Sequence, residues 1–199
     1  MKTYGVAFRY SPIYDEQCRA AFELLPKHER PYPDTKTVTT FMRRLEKEWQ
    51  KNERAVFNAI QRFSGIKWTV KEHTCYVVGS GDPFSDPLTM PVFDQEAPIF
   101  YVADVLCHEL IHRNLLEPAF AIHWTKTMTR LKKHFPKDTE NTLVHVLVHA
   151  IHERIYLNLF SEDRLKRDKR IISVYPEYRR AWEIIEQVGA QKIIDTYLR

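Results

Sequence analysis

Val105-Leu106-Cys107-His108-Glu109-Leu110-Ile111-His112 is the most informative stretch of this chain. It spells H-E-x-x-H, with apolar residues at both x positions and ahead of the first histidine. On a helix, residues four apart stand one above the other on one face. His108 and His112 can therefore aim two imidazoles at one ion. Glu109 is one step round the helix, within reach of a water molecule there but badly placed to be a third ligand. Two histidines and a carboxylate base at this spacing suit zinc-dependent hydrolysis. The apolar flank from Val102 to Leu106 suits a helix buried at the back of a cleft.

A second histidine-rich segment follows. Seven of the nine histidines fall between His108 and His152, where an even spread would place about two. His145, His149, His152 and Tyr156 recur at i, i+4, i+7 and i+11, one stripe of a helix beside the apolar stripe Val144, Val148, Ile151 and Ile155. Buried imidazoles need partners, and a metal supplies one. A catalytic zinc takes three protein ligands and leaves one position open. The third ligand is sought among His123, His145, His149, His152 and Glu153. His149 is favoured, because it lies mid-helix between apolar residues. Glu153, one turn on, is either a carboxylate that orients an imidazole or the competing ligand. Cys107 reads as a small buried apolar residue.

With 199 residues the chain suits one domain, spanning 1–199, in which 1–35 form an N-terminal strand and linker and 160–199 a C-terminal helical extension. A hydrophobic content of 44% with 28% charged residues separates it from disordered chains. Three cysteines, widely spaced, exclude a disulfide framework and fit a reducing compartment. No apolar run reaches the roughly eighteen residues of a membrane span, and Met1 to Gly5 lead into no signal-peptide core. The expected location is the cytoplasm.

Tyr4 to Tyr10 reads as a first strand, Asp15 to Leu25 as a short helix ended by Pro26, and Lys27 to Asp34 as a linker. From Thr37 to Phe63 apolar residues recur at three- and four-residue steps, which predicts one long amphipathic helix ending at Ser64-Gly65. Ile66 to Gly79 alternates at period two and reads as one bent strand or two, with His73 half-exposed on it. Leu88 to Phe93 is extended, and Pro91 marks it as an edge strand able to pair with a peptide. Helices are expected over 98–116, 119–134, 139–160 and from Pro176 to about Leu198.

Residues 105–115 resemble the zincin metallopeptidases. That resemblance implies that His108 and His112 bind zinc and that Glu109 is the general base. It also implies an α+β, zincin-like fold: a small mixed or antiparallel sheet with an edge strand over the cleft, the H-E-x-x-H helix, then a helical half. A third ligand on a later helix is similar to the gluzincin layout. His149-x-x-x-Glu153 stands where those enzymes carry Glu-x-x-x-Asp. The metzincin continuation is absent, since Leu115 and Pro118 occupy its Gly and His positions. The expectation is a Zn2+-dependent peptidase acting on a peptide or protein substrate, with Tyr156 or His152 donating to the developing oxyanion.

Three other classes compete. Glu109-x-x-His112 is half of a di-iron carboxylate site, but the chain holds no second Glu-x-x-His. The run Arg164 to Arg170, in a chain of net charge +4, suggests phosphate binding, but Glu162, Asp163 and Asp168 break it into a solvated face. A catalytically silent zincin-like module that binds proteins needs the metal but no turnover.

Overall fold

The computed structural model describes residues 4–24, 31–94 and 97–199. Among them the chain is α+β, with nine helices and one mixed four-stranded sheet. It divides into two compact units, Met1–Arg54 with Val70–Leu110, and Ala55–Thr69 with Ile111–Arg199.

The first unit holds the sheet. Its strands are β1 (Gly5–Arg9), β2 (Glu72–Val78), β3 (Phe84–Ser85) and β4 (Leu88–Pro91), in the order β1-β2-β4-β3. β1, β2 and β4 run parallel, and β3 pairs antiparallel with β4. The expected edge strand is therefore internal over Leu88 and Thr89, where Ser85 and Phe84 cover it. Beyond them β3 does not reach, and Pro91 is tolerated there opposite Val78 because no second ladder asks for its missing N–H. His73 is buried in β2, against the half-exposed position expected. It stands opposite Val6 in an inner strand, with neighbours on both edges.

Three helices precede β2. Ser11 caps α1 (Pro12–Glu23), accepting from the Tyr14 N–H, and Pro12 occupies the first turn. The expected end of this helix at Leu25-Pro26, and residues 27–30 of the linker, lie outside the described residues. Asp34 caps α2 (Thr35–Gln50), which buries Val38, Phe41, Leu45 and Trp49 along one face. The long helix expected over 37–63 is two, because the chain turns at Lys51-Asn52 before α3 (Glu53–Ser64). The break has a structural use. The Glu53 carboxylate accepts from the Trp49 indole at 2.9 Å and from the Val6 backbone at 2.8 Å, tying β1 to the turn.

α4 (Ile99–Leu115) carries the H-E-x-x-H sequence as one uninterrupted helix. The division between the units falls inside it, after Leu110.

The second unit is helical, with α5 (Pro118–His134), α6 (Glu140–Leu159), α7 (Glu162–Ile172), α8 (Pro176–Val188) and α9 (Ala190–Tyr197). α6 is its axis. Thr139 caps it, accepting from the Thr142 N–H at 3.2 Å, and it is buried on nearly every side from Thr142 to Tyr156. α5, α7, α8 and α9 all pack on it, so α8 and α9 belong to this core and are no appendage. The single C-terminal helix expected is divided at Gly189, whose φ of 93° L side chains rarely adopt. Ile66 to Trp68 alternates buried and exposed as predicted but forms no strand. The Trp68 indole donates instead to the Phe57 carbonyl, and Asn114 Nδ2 donates to the Ile66 carbonyl. No helix among the described residues is long and apolar enough to cross a membrane.

Candidate metal centre

His108 and His112 stand one turn apart on α4 and are both half-buried. The α6 residue that joins them is His145. One nitrogen from each of the three imidazoles lies within 4.8 Å of one from each of the others. The His112 and His145 rings meet edge to face, with centroids 5.1 Å apart. Around a tetrahedral zinc at about 2.1 Å, ligand atoms stand about 3.4 Å apart, so modest side-chain rotation closes the group.

The chemistry of the donors fits a divalent ion. The His145 Nδ1 donates to the Asn141 carbonyl at 2.8 Å, one turn back on α6. This contact fixes the ring and assigns its proton to Nδ1, leaving the Nε2 lone pair for a ligand. Burial holds the His112 imidazole down at about 3, helped by neighbouring His145. Burial also lowers His145, against the pull of the Asn141 carbonyl and the Glu177 carboxylate. Both rings are therefore neutral near pH 7, the form that binds metal.

Glu109 follows His108 and is only 8% exposed. Burial pushes its carboxyl up to about 7. A carboxyl poised near neutrality is suited to taking and returning a proton. Burial pushes the Cys75 thiol well above its ordinary range, and the Glu109 charge adds to it.

The remaining expected residues lie elsewhere. His149, favoured as the third ligand, is fully buried one turn beyond His145 and outside the three-histidine group. Its imidazole stacks on the Trp182 indole, 4.6 Å between centroids and 8° from parallel. Glu153, the competing ligand, is held by Lys169 Nζ at 3.2 Å. His152 and Tyr156 stack on each other at 4.5 Å, both buried. At 1.5 Å per residue they lie about 10 and 16 Å along α6 from His145, too far for Tyr156 to serve an oxyanion at the histidine group. His123 is exposed on α5.

Sequence reasoning missed the contribution of α8. The Tyr178 ring lies over His145, with centroids 4.1 Å apart, and Trp182, one turn on, covers His149. Lys169 Nζ also lies over the Trp182 ring, 4.3 Å from its centroid. The signal was present as Tyr178-x-x-x-Trp182, an aromatic pair at the same i, i+4 spacing as His145 and His149. Comparison with protein-family models, curated proteins and solved structures returns no match to this chain.

Proposed function

We propose that the protein is a metal-dependent hydrolase of peptide bonds, with zinc held by His108, His112 and His145. The observation that carries this reading is the mutual approach of those three imidazoles, two of which bracket the buried Glu109 in the H-E-x-x-H sequence. Three neutral nitrogen donors and no thiolate suit zinc, and three ligands leave a position for substrate or water. A bound zinc ion supplies Lewis acidity, which polarises a carbonyl and makes water a stronger acid.

The chain's own residues supply the rest. Glu109, as carboxylate, takes the proton of the attacking water and hands it to the leaving amine. Asn141 orients His145 through its backbone carbonyl. Tyr178, over the His145 ring, takes the donor role expected of Tyr156 and offers its hydroxyl to the developing oxyanion. Zinc-loaded protein cleaves a denatured protein substrate, and Glu109→Gln reduces this at least about a thousandfold while metal content stays at one ion per chain. Retained turnover in Glu109→Gln overturns the assignment.

The burial of Glu109 favours a second reading, a metal site without turnover that serves protein contacts. One bound zinc per chain with no cleavage of any peptide decides for it.

A further inference from the structure

The turn between α7 and α8 places two apolar side chains in water beside the aromatic cover of His145. Val174 is 72% exposed and Tyr175 58% exposed. The turn is held by its own backbone: the Ser173 N–H donates to the Lys169 carbonyl at 3.0 Å and the Tyr175 N–H to the Ile172 carbonyl at 3.1 Å. Pro176 follows at the start of α8, which fixes the chain direction further. The Tyr175 ring meets Tyr178 at 5.5 Å, and Tyr178 meets His145 at 4.1 Å. A single exposed apolar residue needs no explanation. Two adjacent ones on a backbone-fixed turn, the second of them joined through the Tyr178 ring to a candidate metal ligand, form an exposed apolar pair whose Tyr175 is two ring contacts from His145.

We propose that Tyr175, with Val174 beside it, is the specificity-determining residue of this hydrolase and receives a large apolar or aromatic side chain next to the scissile peptide bond. The proposal rests on the hydrolase reading of His108, His112 and His145. An aromatic ring with a polar tip recognises such a side chain through area and edge-to-face contact. Loss of that contact weakens discrimination by about tenfold, the scale of a truncated apolar pocket.

The test digests a mixed-sequence peptide library with zinc-loaded full-length protein and reads the cleavage sites by mass spectrometry. Wild type enriches Phe, Tyr, Leu or Met at one position flanking the cut. Tyr175→Ala and Val174→Ser lower kcat/KM for those peptides about tenfold, mainly through KM, with bound zinc unchanged. Tyr175→Phe keeps the preference. Wild-type cleavage with the same preference and rate in Tyr175→Ala overturns this proposal and leaves the hydrolase reading standing. No cleavage by zinc-loaded wild type overturns that reading, and the proposal with it.

Discussion

His145 and His149 show what a single turn of helix decides. Both are buried, both belong to the stripe visible in the sequence, and only His145 joins His108 and His112. The pair on α4 was legible because i, i+4 spacing is a property of one helix. The choice between His145 and His149 was not, because it depends on how far α6 is shifted along its axis. Burial between apolar neighbours pointed to His149, but on a helix buried all round that criterion separates nothing. The two residues therefore respond differently to truncation. His145→Ala removes metal binding, read as loss of stoichiometric zinc by elemental analysis. His149→Ala keeps the metal and loses the Trp182 stack. It costs about 2–4 kcal/mol of stability in urea unfolding, as expected for a large buried side chain cut to a methyl.

The elements were legible where local chemistry closes them. Ser11 with Pro12, Asp34 and Thr139 each start an expected helix with a side-chain cap, and Pro118 and Pro176 stand in first turns, whereas α7, capped by Ser161, was hidden in what reads as a charged run. The breaks inside periodic stretches were harder. Lys51-Asn52 interrupts an amphipathic pattern without glycine or proline, and the tie that holds Glu53 to Val6 of β1 is long-range, 47 residues apart in the chain. Ile66 to Trp68 alternates because one side of an extended segment is buried, which is half of what a strand needs. Two measurements belong to this scale. Thr139→Ala costs about 1 kcal/mol in urea unfolding, and Thr139→Ser recovers most of it. Gly189→Ala destabilises by about 1 kcal/mol, since φ of 93° strains any L side chain even though open space surrounds the position.

For the whole molecule the buried histidines set an acid limit. Burial lowers His152 to about 3 and lowers His149 well below its ordinary value, with neighbouring His145 adding to the effect on His149. A group depressed in the folded state stabilises above its unfolded pKa, near 6.5 for histidine, and that stability is lost as pH falls below it. The two imidazoles together cost about 2 kcal/mol between pH 6.5 and 5.5, in order of magnitude. Chelator-treated protein should accordingly show a urea midpoint that falls through this range, and His152→Phe should flatten the fall. Zinc acts in the other sense. At a hundredfold excess over its Kd it raises stability by about 2.7 kcal/mol, visible as a higher Tm that chelator reverses.

The helix at the centre of the second unit carries one more consequence. Along α6, from Thr142 to Tyr156, solvent is excluded on nearly every side. Amide protons so enclosed are expected to exchange with deuterium chiefly when the unit as a whole unfolds. A peptide covering residues 143–152 is thus a built-in gauge of global opening, and its labelling rate should slow when zinc is added, in proportion to the stability gained.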